Sequence, residues 1–353
     1  MRDNMVTLTR SRRFRYLISM VGVFFGTIYL RHLSSHAMES VIDKDATSKL
    51  QETTAEITPD PNAKYEKRAT EMVERQDALK AACREMTNQE NDFHLRSSMK
   101  VFVDEKHRLL TCLVKKVAST SWKRVFLVLL GFANSSQIND DFDFRWEKMV
   151  VKHGRQRVTV KSLNSKIFKN YVKFLFVRHP FTRLLSAYRD KFERQRSRSG
   201  RHEPLLSTSI KNTRDAIMKR YNLSDSYSVT FPLFVRYLSD SNVNNFDAHW
   251  APIYKSCTPC TIKYDVIGRY EELNEDADFV LHASGIKHLN FPDTVYDIGQ
   301  RTDSSHHQIM KHYFSQLSHE EVMRLYEIYE WDFKLFGYPY PFEFLQMSEE
   351  DDE

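Results

Sequence analysis

Between Lys115 and Ser121 the chain reads Lys-Lys-Val-Ala-Ser-Thr-Ser, with two ammonium groups, three hydroxyls and no carboxylate. Such side chains offer hydrogen-bond donors and positive charge, which suits a phosphate or sulfate group. Leu109-Leu110-Thr111-Cys112-Leu113-Val114 precedes the run as a short apolar, β-prone stretch. Trp122 to Leu130 follows, too long and too poor in turn residues for another short strand. The order is strand, tight loop, helix. That loop presents free backbone N–H groups at the positive end of a helix dipole, where an anion binds. A plain N-cap beside solvated lysines would leave three adjacent hydroxyls without a reason.

A second stretch repeats the pattern. Lys173-Phe174-Leu175-Phe176-Val177 reads as a buried strand, followed by Arg178-His179-Pro180-Phe181-Thr182-Arg183. Leu184, Leu185, Tyr188 and Phe192 then recur at helical spacing. Pro180 suits a first helical turn, where its missing N–H costs nothing. Arg178 and Ser186 fall either side of that turn, a guanidinium fork and a hydroxyl suited to a phosphate. For proton transfer the candidate is His249, an imidazole in Asn-Phe-Asp-Ala-His-Trp between an acid and an indole. The competing reading for a lone histidine is a packed structural side chain. No metal site is expected: Cys257 and Cys260 have the spacing of half a zinc ribbon, but no second pair stands elsewhere.

At these residues the sequence resembles a family. Lys116 to Arg124 is similar to the 5′-phosphosulfate loop of Golgi carbohydrate sulfotransferases, and Arg178 to Phe192 to their 3′-phosphate motif. The group most resembled is the chondroitin 4-O-sulfotransferases and their relatives. Likeness continues through Asp247-Ala248-His249-Trp250, Cys257-Thr258-Pro259-Cys260, Tyr264 to Glu271, and Asp332 to Phe336. Two positions depart from the family pattern: Lys115 stands where it has proline, and His179 where it has an acidic residue. The first would loosen the loop, and the second would add positive charge near the phosphate.

The resemblance implies an α/β fold, a P-loop-like sulfotransferase core with a mostly parallel sheet flanked by helices. It implies 3′-phosphoadenylyl sulfate (PAPS) as sulfate donor, without a metal, and a glycosaminoglycan acceptor, chondroitin first. Lys115, Lys116, Val117, Ala118, Ser119, Thr120 and Ser121 would then form the 5′-phosphosulfate loop. Arg178, His179, Pro180, Phe181, Thr182, Arg183, Leu184, Leu185 and Ser186 would form the 3′-phosphate motif, with Arg183 as a supporting charge. Lys116 and His249 are the expected catalytic residues.

A chain of 353 residues that is 41% hydrophobic can bury one large core with appendages. Residues 1–15 carry Arg2, Arg10, Arg12, Arg13 and Arg15 against one acid, Asp3, and Tyr16 to Leu30 is uncharged. At about 1.5 Å per residue that run spans about 22 Å, enough when Arg15 and Arg31 snorkel. The basic flank makes it a type II signal anchor with a cytosolic tail (1–15), a membrane helix (16–30) and a lumenal remainder, which the resemblance places in the Golgi membrane. A cleaved signal peptide ending near Ser35-His36-Ala37 is the rival. Residues 31–92 read as a polar stem, 93–345 as the catalytic domain, and 346–353 as an acidic tail. Asn134 and Asn222 head glycosylation sequons. Asp140 to Arg157 reads as a charged, irregular loop. Lys191 to His202 is a basic run suited to a polyanionic glycan; the anchor argues against nucleic acid. Tyr264 to Gly268 reads as a third strand with Arg269 to Glu272 at its end, and His306 to Phe336 as two helices meeting at a Ser318/Glu321 capping box. The four cysteines allow one or two bridges in an oxidising lumen, in any pairing.

Three rivals remain. A nucleoside triphosphate enzyme lacks its Gly-x-x-x-x-Gly-Lys-Ser/Thr run here. A sulfotransferase for another acceptor, dermatan or position 3 of glucuronic acid, would share every motif. An inactive lumenal glycan-binding protein would keep the fold without transfer.

Overall fold

The structure is a computed structural model that describes residues 63–89, 98–139, 144–163, 165–193, 207–224, 227–292 and 302–349. The expected cytosolic tail, the anchor, the stem up to residue 62, residues 194–202 of the basic run and residues 350–353 lie outside them. Among the described residues no helix is long and apolar enough to cross a membrane. The chain divides into two units, Met1–Lys67 and Arg68–Glu353. Of the first, only residues 63–67 are described, and they open a helix.

The second unit is built on one mixed sheet. Its strands are β1 (Ser98–Asp104), β2 (Leu109–Thr111), β3 (Arg155–Thr159), β4 (Val172–Val177) and β5 (Val266–Arg269), in the order β3-β1-β2-β4-β5. β2, β4 and β5 are parallel, with Thr111 opposite Phe174 and Phe176 opposite Gly268. β1 runs antiparallel to both β2 and β3. The mostly parallel sheet expected from the sequence therefore holds for three strands only. β4 has no polar alternation, because both of its faces are covered: Phe174, Leu175, Phe176 and Val177 are all buried. A Cβ on Gly268 would sit 2.5 Å from the Phe176 ring, so only glycine lets β5 pair there.

The helices are α1 (Ala63–Gln89), α2 (Ser119–Leu129), α3 (Phe144–Gly154), α4 (Pro180–Tyr188), α5 (Thr208–Arg220), α6 (Phe231–Ser239), α7 (Ile253–Cys257), α8 (Leu273–Ala283), α9 (His307–Phe314), α10 (His319–Phe336) and α11 (Phe342–Glu349). α4, α5, α6, α9, α10 and α11 share one apolar cluster, in which Phe181, Phe234, Trp250, Phe314, Tyr329 and Phe333 are buried. α10 starts at the expected capping box and stops at Gly337, whose φ of 66° ends the helix in the left-handed region.

Two expectations are corrected. The region Asp140 to Arg157 is not an irregular loop: it holds α3 and most of β3, and Val150 of α3 is fully buried. Also, α1 from Arg68 onward belongs to the catalytic unit rather than to a stem. Arg75 bonds Asp276 at 2.6 Å, Glu272 at 2.9 Å and the Ile267 carbonyl at 3.1 Å, and Cys83 is bridged to Cys260. Cys112, just past β2, is bridged to Cys257 in α7.

α7 hangs from α10 by one side chain. Both carboxylate oxygens of the buried Asp332 accept α7 backbone N–H groups, from Ile253 at 2.7 Å and Tyr254 at 2.9 Å. Burial pushes the Asp332 carboxyl up to about 6, although Arg183 and these two bonds oppose the shift. Asp332→Asn turns an amide NH2 toward one of those N–H groups and leaves both unpaired. The variant is expected to lose about 1–3 kcal/mol, read as a lower Tm in thermal unfolding.

Candidate active site

The site lies at the C-terminal ends of β2, β4 and β5, where ligands gather in open α/β sheets. After β2 the loop turns sharply: Lys116 has φ 66° and Ala118 φ 49°. Each non-glycine residue in the left-handed region costs on the order of 1 kcal/mol, so the packing around the loop must hold it there. Part of that hold is Trp122, fully buried in the first turn of α2, with ring centroids 4.4 Å from Phe174 and 5.3 Å from Phe176. No side chain caps α2, so its first-turn N–H groups face the loop's concavity as donors for an anion. Ser119 and Thr120 are half-buried there and Ser121 is buried.

Past α4 the chain widens into a π turn, Arg189–Glu193, a local form frequent at functional sites. That turn aims Asp190 at the loop, where its Oδ2 is 3.0 Å from the Nζ of Lys116 and 3.0 Å from the Nζ of Lys191. Burial opposes ionisation of Asp190, but the two lysines outweigh it and hold the carboxyl near 2. Burial also lowers the Lys116 pKa; Asp190 opposes this, while Lys191 and Arg178 add to it.

Arg178, at the end of β4, is buried. Its Nε donates to Thr182 Oγ1 at 3.2 Å and its Nη1 to the Lys116 carbonyl at 3.1 Å. Its Nη2 donates to Ser304 and Ser305 hydroxyls, each at 2.8 Å, and the guanidinium lies 4.1 Å from the Tyr270 ring centre. Ser186 Oγ meets Thr302 Oγ1 at 2.9 Å.

His249 forms a dyad. Its Nδ1 is 2.5 Å from Asp247 Oδ1, and the other Asp247 oxygen accepts the Ser209 hydroxyl. Burial works against Asp247's charge, yet the bonds from His249 and Ser209 hold its carboxyl well below the usual carboxylate range. An ionised Asp247 can only accept, so Nδ1 carries the proton and Nε2 is left as the basic atom. Burial lowers the His249 pKa; Asp247 opposes this, and the charges of Lys191 and Lys115 push it further down. The imidazole is therefore neutral near pH 7.

The profile of the sulfotransferase family matches residues 99–339. The chain belongs to the carbohydrate sulfotransferases. It is 36% identical over 247 residues to carbohydrate sulfotransferase 11 of Rattus norvegicus, covering 68% of this chain and 67% of that one. It is 36% identical over 265 residues to carbohydrate sulfotransferase 10 of Homo sapiens, covering 69% and 67%. With carbohydrate sulfotransferase 8 of Mus musculus it shares 35% over 256 residues, covering 70% and 58%. No solved structure matches the chain. The family transfers sulfate to glycans, with PAPS as donor.

In this sulfotransferase the loop and Arg178 meet directly, through the Lys116 carbonyl. The rest of the expected 3′-phosphate run divides by job. Pro180, Phe181, Leu184 and Leu185 are buried, the last three in the apolar cluster, while Val117 is buried under the loop. Thr182 relays Arg178 to the His179 carbonyl. Arg183, expected as a supporting charge for the phosphate, instead donates to the carbonyls of His249 at 3.3 Å and Ala251 at 2.5 Å. His179 does not add positive charge. Burial, then the field of Arg178, depresses it to about 4, and its ring lies among Phe333, Tyr338 and Phe344.

Sequence reasoning missed Thr302, Ser304, Ser305 and Ser209, and gave Asp190 and Tyr270 no role of their own. Asp190 lay inside the Arg178 to Phe192 motif and Tyr270 in the run at the end of the third strand. Asn134 and Asn222 are both exposed, the second in a left-handed turn of φ 50°. In a 15N-detected titration, His249 is expected to be neutral at pH 7 with the proton on Nδ1, and to titrate below its ordinary 6.5. A midpoint above 6.5, or a proton on Nε2, would contradict the dyad.

Proposed function

We propose that this sulfotransferase is a single-pass type II Golgi membrane protein whose lumenal domain sulfates position 4 of N-acetylgalactosamine in chondroitin. The acceptor and position rest on the motif resemblance at Lys116–Arg124 and Arg178–Phe192. The anchor rests on the arginine-rich residues 1–15 before the uncharged run 16–30, and exposed sequons at Asn134 and Asn222 suit a lumenal domain. The basic run from Lys191 supplies attraction for a polyanionic chain.

Each residue has one job in this reading. Ser119, Thr120, Ser121 and the first amides of α2 hold the 5′-phosphosulfate, and Arg178 with Ser186 holds the 3′-phosphate. His249 Nε2 takes the proton of the acceptor hydroxyl as that oxygen bonds to sulfur. Lys116 stabilises the negative charge that collects on the bridging oxygen as the sulfur–oxygen bond to the nucleotide breaks. Fixed ammonium and N–H donors suffice for this because the sulfuryl group carries less charge than a phosphoryl group. Asp247 positions His249 and keeps the proton on Nδ1. The observation that carries the reading is a neutral, carboxylate-bound imidazole under the fields of Lys115 and Lys191, the cations that flank Lys116 and its partner Asp190.

The test is sulfate transfer to desulfated chondroitin, dermatan and heparan, with disaccharide analysis of the product. Chondroitin 4-sulfate is expected; sulfate on another sugar or position replaces the proposed acceptor, and nucleotide binding without transfer means a glycan-binding protein. With the same acceptor, His249→Ala should lower kcat roughly 10²–10⁴-fold at nearly unchanged nucleotide affinity. Lys116→Ala should weaken nucleotide binding and kcat together. Near wild-type turnover in a normally folded His249→Ala removes it as the base.

Localisation is tested separately. Full-length protein should resist alkaline carbonate extraction, and an N-terminal tag should be digested in intact microsomes. Loss of that tag during biosynthesis would mean a cleaved signal peptide.

A further inference from the structure

Arg178 is a cation taken out of water; Glu271 acts on it through its field, but no carboxylate bonds it. Its described partners are the hydroxyls of Thr182, Ser304 and Ser305, the Lys116 carbonyl and the Tyr270 ring, and no carboxylate is among them. A buried charge hydrogen-bonded only to neutral groups is unfavourable, and an anion brought within bonding distance reduces that deficit. The Ser304 and Ser305 hydroxyls come from a segment more than a hundred residues further along the chain.

Their proton count points the same way. Ser186, Thr302 and Ser304 form a chain with contacts of 2.9 Å and 3.1 Å. Three hydroxyl protons serve two contacts, so one is left over. Ser304 and Ser305 receive the two Nη2 protons of Arg178 on their lone pairs, so Ser305 keeps its own proton to give as well. Thr302 and Ser304 are buried, and Ser305 is exposed at the rim. Arg189 fixes the segment by donating to the Thr302 carbonyl. The surplus of donors around one guanidinium matches a group with three acceptor oxygens.

We propose that Thr302, Ser304 and Ser305 form the third wall of the 3′-phosphate site, with the Ser304 and Ser305 hydroxyls donating directly to that phosphate. This rests on the reading of Arg178 and Ser186 as phosphate holders. The segment is then what makes the enzyme demand a 3′-phosphorylated nucleotide. The rim position of Ser305 lets it turn toward the ligand while Arg178 keeps its bonds to Thr182 and the Lys116 carbonyl.

The test compares adenosine 3′,5′-bisphosphate with adenosine 5′-monophosphate by calorimetry on the full chain. Arg178→Ala checks the underlying reading: it should weaken the bisphosphate by at least tenfold and hardly touch the monophosphate. If both weaken equally, that reading fails, whatever the serines do. Ser304→Ala with Ser305→Ala should weaken the bisphosphate by roughly tenfold or more, again sparing the monophosphate. No loss, or an equal loss for both nucleotides, overturns the third wall while the Arg178 result stands on its own. Because the serines also position Arg178, the pair is repeated in the Arg178→Ala background. A further selective loss there supports direct contact. Loss seen only while Arg178 is intact makes the serines positioning residues and overturns the proposal.

Discussion

The site depends on two buried arginines placed five residues apart after one strand. Arg178 and Arg183 are 4% and 1% exposed, so neither charge is offset by water. Each draws oxygen atoms from distant chain: Arg178 from the Lys116 carbonyl and the serines at 304 and 305, Arg183 at its two terminal nitrogens from the carbonyls of His249 and Ala251. A buried guanidinium left short of acceptors is costly, so these segments cannot drift from α4 without leaving one exposed to that cost. The first turn of α4 thereby fixes the donor loop on one side and the proposed base on the other.

Around that pair the remaining contacts act as clamps on the His249 segment. Tyr329 donates to the Trp250 carbonyl at 2.6 Å, Asp332 holds the start of α7, and Cys257 is bridged to Cys112 beside β2. The proposed base sits on irregular backbone, yet that backbone is tied to two helices and a strand. The ties exceed what a loop of its length provides by itself, and position to a fraction of an ångström is what proton transfer requires.

Local chemistry was legible wherever the signal was local. The strand–loop–helix units at β2–α2 and β4–α4, the Ser318/Glu321 capping box and the stop at Gly337 follow from spacing, proline and glycine alone. α3 and β3 were not legible, because a charged segment with one face buried looks like a loop until its neighbours α2 and β1 are known. Burial inverted the expected role of His179: an imidazole among aromatic rings beside a guanidinium loses its proton, and sequence shows neither the rings nor the dehydration. Thr302, Ser304 and Ser305 carried no signal in the sequence for the same reason; their meaning comes from Arg178, supplied by a remote part of the chain.

Both disulfides end within one four-residue stretch, at Cys257 and Cys260. Their partners precede them by 145 and 177 residues. At about 5–20 residues per second, a ribosome leaves Cys83 and Cys112 without native partners for roughly 7–35 seconds. Within the chain, the only cysteine available to each in that interval is the other. Correct maturation therefore requires either that the two thiols wait, or that an isomerase undoes their pairing once Cys257-Thr258-Pro259-Cys260 emerges. Formation of the active fold is thus tied to thiol exchange as well as to translation.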